Sequence, residues 1–229
     1  MKQVLSLLFI LTSLLLLGQQ DSVLQQSDKA KYYIAPTVFI GSGLFVNYTK
    51  SKYSKQNLQQ NIQRNYSANT EIDNYLPYIP IAQMYAGKMM GIKSRSSYFN
   101  QTKNLFFSQL FTSLITHGLK RATNLERPNG AQYAFPSGHT SSAFSSASVL
   151  FYEYKNTNIA YASSGFLFSG TTGTLRVLKN KHWVSDVLVG AGIAILVTHL
   201  VYHFEPLKNW NPLEKRKERK KNRKFVPVY

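Results

Sequence analysis

The chain of 229 residues contains no cysteine. That absence removes disulfides, thiolate metal sites and a cysteine nucleophile together. It also removes lipoprotein-type lipid attachment, which needs a cysteine after the signal. Acidic residues are scarce, with 10 Asp and Glu against 27 Lys and Arg, a net charge of +17. Such an excess favours an anionic partner: nucleic acid, an anionic lipid surface or a phosphorylated substrate. Strand signals are weak throughout, and no repeats or heptads are present. No group of His, Asp and Glu has metal-ligand spacing, so no metal and no other cofactor is expected. What is abundant is apolar, at 44% of residues with 14% aromatic, so a core can form in one domain.

The first stretch, "MKQVLSLLFILTSLLLLGQQDS", carries a Lys and then an apolar run from Val4 to Leu17. It matches the apolar region of a secretory signal and is short for a membrane span. We expect a signal peptide, or a short anchor, over 1–20, a helical domain over 21–207 and a basic tail over 208–229. The tail holds "LEKRKERKKNRK", whose cations are not interleaved with aromatics, so a nucleic-acid partner is not expected.

Between these ends the pattern is helical. Residues 32–48 are apolar and read as a short helix, 49–72 as a polar surface helix or excursion, and 73–92 as helical after Pro80. In 98–123 the large apolar residues Leu105, Phe106, Leu110 and Leu114 recur at helical spacing. A loop over 126–139 precedes two segments rich in small residues, 140–154 and 158–175, which suit close helix packing. Only the stretch from Val184 to Tyr202 is plainly long and apolar enough to span a bilayer. The expected fold is an all-α bundle of about six helices.

Three clusters carry chemistry. In "KRATNLERP", Lys120 belongs to the last turn of a helix that Pro128 ends before Arg127, and the two cations can converge on one anion. In "PSGH", Ser137 is a good helix cap, and Gly138 lets a ligand approach the backbone. The helix N-terminus offers free N–H groups to an oxyanion, with His139 at its rim. In "LRVLKNKHWVSD", Asp186 follows His182 by four residues, one helical turn. It can accept the Nδ1 proton of His182 and leave Nε2 free. Arg176 adds a third cation. One histidine with a carboxylate and one without suggest a division of labour, attack by the first and proton donation by the second. Such a set suits phosphoryl transfer through a phosphohistidine, with the cations on the equatorial oxygens. His117, near Lys120, reads as a helix-packing histidine.

In order and internal spacing these clusters resemble the three motifs of the type 2 phosphatidic acid phosphatase superfamily, K-x6-R-P, P-S-G-H and S-R-x5-H-x3-D. One position departs: Leu175 stands where the family has serine. The resemblance implies a helical bundle with the active site at one end, in which His182 is the nucleophile, Asp186 its orienting partner and His139 the general acid. Lys120, Arg127, Arg176, Ser137 and the Gly138 N–H would bind phosphate. It implies a phosphatase for a membrane lipid, of the lipid A, undecaprenyl pyrophosphate or phosphatidylglycerol phosphate type. Its place would be the cell envelope, in the inner membrane with the site facing the periplasm. A soluble periplasmic acid phosphatase, a vanadium haloperoxidase and a non-catalytic basic membrane binder are the other readings. Headgroup selection is expected from residues 49–72 and 93–103.

Overall fold

The computed structural model describes residues 26–206 and 210–212, and the expected signal peptide or anchor over 1–20 and most of the expected tail over 208–229 lie outside them. Among the described residues there are seven α-helices and no strand. They are α1 (Gln26–Tyr48), α2 (Lys55–Asn65), α3 (Ile79–Met89), α4 (Tyr98–Thr123), α5 (Gly138–Tyr154), α6 (Ile159–Leu178) and α7 (Val184–Phe204). Two short 3-10 turns, Ile72–Asn74 and Leu76–Tyr78, lead into α3.

Local chemistry sets most of the boundaries. Ser54, Ser97 and Asn158 cap α2, α4 and α6 by accepting from a backbone N–H with their side chains. Pro80 sits in the first turn of α3, where its missing N–H costs nothing. α4 stops at Thr123 with Asn124 in the left-handed conformation, so Arg127 falls in the loop as Pro128 requires. α1 is longer than the apolar stretch 32–48 and continues through Pro36.

α7 is the central helix. It packs against α1 and α5, with α4 beside α5 and α7, and α6 against α5. Close approach is obtained with glycine. A Cβ on Gly192 would meet Ile40 at 2.6 Å and the Pro36 carbonyl at 3.0 Å. Among the described residues, α7 is the one helix long and apolar enough to cross a membrane, and 72% of its apolar window is buried inside the bundle.

α4 has its faces reversed relative to a soluble amphipathic helix. Three of the four apolar residues whose spacing announced the helix stand exposed, Phe106 at 59%, Leu110 at 37% and Leu114 at 61%, while Leu105 is partly buried against the cluster of Met84 and Leu150. The buried stripe is Asn104, Ser108, Thr112, Thr116 and Lys120, each four residues after the last. Large apolar side chains also stand exposed on α1 (Ile34, Val38, Phe45) and α6 (Leu167).

Candidate active site

The three motifs meet at one end of the bundle, around a cavity of about 760 Å³. Lys120, Arg127, Gly138, His139, Arg176 and His182 all line it. The loop before α5 is pinned from beneath. Phe135 is buried in a cluster with Leu119 and Val189, and the Ser137 N–H donates to the Asp186 carbonyl at 2.9 Å. Gly190 makes this crossing possible, since a Cβ there would lie 2.8 Å from the Ser137 carbonyl oxygen.

His182 and Asp186 are paired, though along a different path from a helix face. His182 lies in the loop before α7, and Trp183 is the residue that precedes the helix. Asp186, in the first turn, reaches back around the helix start. Its Oδ2 lies 3.2 Å from His182 Nδ1 and accepts from the Trp183 N–H at 2.9 Å. The Arg176 carbonyl in turn accepts from the N–H groups of Lys181 and His182, tying the end of α6 to this loop. Burial lowers the His182 pKa to about 4, against the opposing pull of Asp186. A neutral ring bonded to a carboxylate through Nδ1–H carries its lone pair on Nε2.

The cations are crowded. Burial, with Arg127 nearby, lowers the pKa of Lys120 to about 8. Its Nζ donates to the Tyr133 carbonyl at 2.7 Å, so it also ties the loop to α4. Arg127 Nε and Arg176 Nε are buried with no hydrogen-bond partner. Unpaired guanidinium nitrogens beside a cavity are prepared for an anion, because leaving them unmatched is costly.

Two residues that the motifs do not contain complete the surroundings. Asp73 is fully buried. Its Oδ2 accepts from Arg176 Nη1 at 2.8 Å and its Oδ1 from Lys179 Nζ at 2.7 Å. Asn74 Oδ1 lies 3.2 Å from His139 Nε2, while its Nδ2 donates to Glu71 Oε2 at 2.6 Å. The amide is thereby oriented as an acceptor toward the imidazole. Burial, followed by the Arg176 charge, lowers the His139 pKa, and Asp73 opposes it.

Other expectations change. Ser137 occupies the N-cap position, yet its hydroxyl caps no backbone N–H. It accepts from Thr140 Oγ1 at 2.9 Å, and the residue is buried and absent from the cavity lining. Leu175 does not line the cavity either. His117 is exposed and lines the cavity instead of packing between helices. Neither 49–72 nor 93–103 contributes to the lining, whereas Asn74, Pro77 and Tyr78 do. The Arg95 N–H donates to the Glu153 carbonyl at the far end of α5, so that loop sits at the opposite end of the bundle.

A helical bundle that brings three cations, a helix N-terminus and a carboxylate-paired histidine to one cavity defines a histidine-based, phosphate-handling class. Residues 116–210, which hold all three motifs, match the PAP2 superfamily. Over 144 residues, 62% of the chain, it is 33% identical to a lipid A 1-phosphatase of Porphyromonas gingivalis. The chain spans only about a third (32%) of that relative's length. The crystal structure of Aquifex aeolicus LpxE shares the fold, with a TM-score of 0.50 at 20% identity, over 65% of this chain and 94% of that one.

Proposed function

We propose that the chain is a phosphatase that hydrolyses a phosphomonoester or pyrophosphate of a membrane lipid, with the phosphate of lipid A the first candidate. The observation that carries this reading is the pair of partnerless buried guanidinium Nε atoms, on Arg127 and Arg176, at a cavity that a neutral His182 also lines. The likeness to a lipid A 1-phosphatase supports the choice of lipid.

In this reading the phosphate rests among Lys120, Arg127, Arg176 and the Gly138 N–H at the start of α5, with Ser137 holding the turn beneath. His182 Nε2 attacks phosphorus, and Asp186 stabilises the charge that develops on the ring. The P–N bond forms as the bond to the leaving oxygen breaks, and His139 gives that oxygen its proton. The lowered pKa of His139 describes the empty site, and the incoming phosphate charge raises it toward the value a proton donor needs. Water then attacks the phosphohistidine and gives a proton back to His139. The P–N bond breaks, and phosphate and the resting enzyme return. The chain's own cations neutralise the transferred group, so the scheme requires no metal.

A membrane setting is part of the proposal. The one such apolar helix among the described residues, α7, is weak support, being mostly buried by its neighbours. The reversed faces of α4 are stronger support. An exposed apolar band at Phe106, Leu110, Phe111 and Leu114 over a polar interior fits acyl chains better than water. That band stops short of Lys120, leaving the site end at the headgroup level. The cell envelope, with the site toward the periplasm and the basic tail toward the cytoplasm, agrees with the positive-inside bias. The domain division, with a signal or anchor over 1–20 and a tail over 208–229, is retained on the same grounds.

The experiment is direct. Purified protein in detergent, without added metal, should release phosphate from lipid A, and vanadate should inhibit. His182→Ala should abolish turnover and prevent trapping of a phosphoenzyme. Full activity in that variant would end the assignment.

A further inference from the structure

The two 3-10 turns before α3 are joined at Tyr75. Its N–H donates to the Ile72 carbonyl at 2.9 Å, and its own carbonyl accepts from the Tyr78 N–H at 3.0 Å. A 3-10 helix has three residues per turn, so Ile72, Tyr75 and Tyr78 line up on one face. Each of the three is more than half exposed. Asp73, Leu76 and Pro77 are buried behind them.

The segment thus has two unlike faces. Inward, Asp73 holds Arg176 and Lys179, and Asn74 Oδ1 meets His139 Nε2. Outward stands a ridge of one isoleucine and two tyrosines. Ile72 directly precedes Asp73, and Tyr75 directly follows Asn74. A displacement of the ridge is therefore carried to a phosphate-binding arginine and to the proton donor through single, planar peptide units.

The course of the segment says what lies against the ridge. It starts beside His139 at the site end and descends the flank of the bundle to Pro80, which packs next to Gly165 of α6. Tyr78 lines the cavity together with Ser113 of α4, whose neighbour Leu114 belongs to the exposed apolar band. Ridge and band flank the same open side of the cavity. Tyrosine, with an apolar ring and a polar tip, is most at home where lipid meets water. Both acidic side chains of this stretch, Glu71 and Asp73, are paired with Lys179, so they do not repel anionic headgroups.

We propose that the ridge of Ile72, Tyr75 and Tyr78 docks in the interfacial layer of a phospholipid bilayer, and that this contact holds Asp73 and Asn74 against the site. The inference rests on the phosphatase reading and membrane setting above and adds a bilayer contact that regulates turnover. Ile72 and Tyr75 do not line the cavity, so changing them leaves the path of the substrate untouched.

Two measurements on the full chain test it. In the first, Tyr75→Trp is reconstituted in phosphatidylcholine vesicles whose acyl chains are brominated near the headgroup, and the wild-type emission is subtracted. The added tryptophan should be strongly quenched. Emission equal to that in unbrominated vesicles would overturn the docking. In the second, Ile72→Ser combined with Tyr75→Ser is assayed in vesicles containing lipid A or a diacylglycerol phosphate. A thermal midpoint close to wild type shows that this variant folds. Its kcat should fall about tenfold with KM little changed, as for a misplaced catalytic group. Loosening Asn74 and Asp73, which favour the charged imidazole, should also move the basic limb of the kcat profile to lower pH. Arg127, Arg176 and Lys181 also face His139, and the variant leaves them in place. An unmoved basic limb, with or without a lower kcat, would overturn the coupling and leave the phosphatase reading standing. Release of phosphate from neither lipid by the wild-type protein would sink the phosphatase reading and the coupling with it, while the quenching would still decide the docking.

Discussion

Arg176 is held to Asp73 by a 2.8 Å ion pair between side chains that are both buried, across 103 residues of chain. The same carboxylate takes Lys179 on its other oxygen at 2.7 Å. Burial alone would raise the Asp73 pKa, but the hydrogen bonds from Lys179 and Arg176 prevail and hold it below the usual carboxylate value. A depressed folded pKa stabilises the fold above the ordinary carboxylate range, and that stability is lost as pH falls through the folded value. Asp73→Asn leaves the buried Arg176 without its counter-charge and leaves Lys179 with Glu71 alone. It should cost about 3–5 kcal/mol. Denaturant melts at neutral pH and at pH 3 check both parts: the variant should be much weaker at neutral pH and should show a smaller further loss in acid.

His182 makes the opposite kind of statement about pH. Burial sets its folded pKa near 4, below its ordinary 6.5. The unfolded chain therefore takes up the proton first, so this residue subtracts stability as pH falls below 6.5 and the loss is complete below about 4. Above that window the ring is neutral and ready to attack. Nitrogen-15 resonances of His182 in labelled protein should keep their neutral-form shifts down to about pH 5. A titration midpoint at or above 6.5 would remove the physical basis for its role.

Asn74 sets the state of His139 through one contact of 3.2 Å. Asn74→Asp puts a carboxylate in the place of the amide oxygen and should raise the His139 pKa. If His139 is the proton donor, the basic limb of the kcat profile should move to higher pH. An unmoved limb with lowered kcat would assign Asn74 to packing alone.

Much of this site is legible in the sequence because its parts are local. A proline after Arg127, a serine and glycine before a small-residue helix, and a histidine four residues before an aspartate each act within a turn or two. What the sequence hides depends on distant chain. Asp73 and Asn74 lie in a 3-10 turn with no pattern of its own, and their partners are 65 to 106 residues away. The cap expected of Ser137 does not form because Thr140 takes its hydroxyl. α4 is the sharpest lesson. Leu105, Phe106, Leu110 and Leu114 locate the helix, but periodicity says only that two faces differ. Which face turns inward depends on the solvent outside, and the stripe from Asn104 to Lys120, equally periodic, is the one buried.

Gly190 links packing to the site. A methyl group there would lie 2.8 Å from the Ser137 carbonyl oxygen and 3.0 Å from Ser141 Oγ. Backbone cannot yield cheaply, so Gly190→Ala should push the start of α5 off α7 and loosen the Ser137 N–H bond to the Asp186 carbonyl. A stability loss of about 1–3 kcal/mol is expected, with a larger relative loss of kcat. Gly170, in α6 with open space around it, is the control: Gly170→Ala should be neutral or stabilise by about 0.5–1 kcal/mol.

The exposed face of α4 decides what surrounds the bundle. Leu114 is 61% exposed, and no polar group covers it. In water, Leu114→Arg would change stability by about 0.5 kcal/mol or less, since surface substitutions away from packed features are tolerated. In a bilayer the same arginine costs about 2.5–3.5 kcal/mol near the middle of a span, and less if it reaches the interface. Membrane fractions after a high-salt wash should therefore hold much less of the variant than of the wild type, while Thr171→Arg, at an exposed polar position of α6, gives the comparison for a charge placed nearer the site end. Equal recovery of Leu114→Arg and wild type in the soluble fraction, with activity retained, would show that water and not lipid lies against this helix. The reversed faces of α4 would then need an explanation within the protein's own assembly.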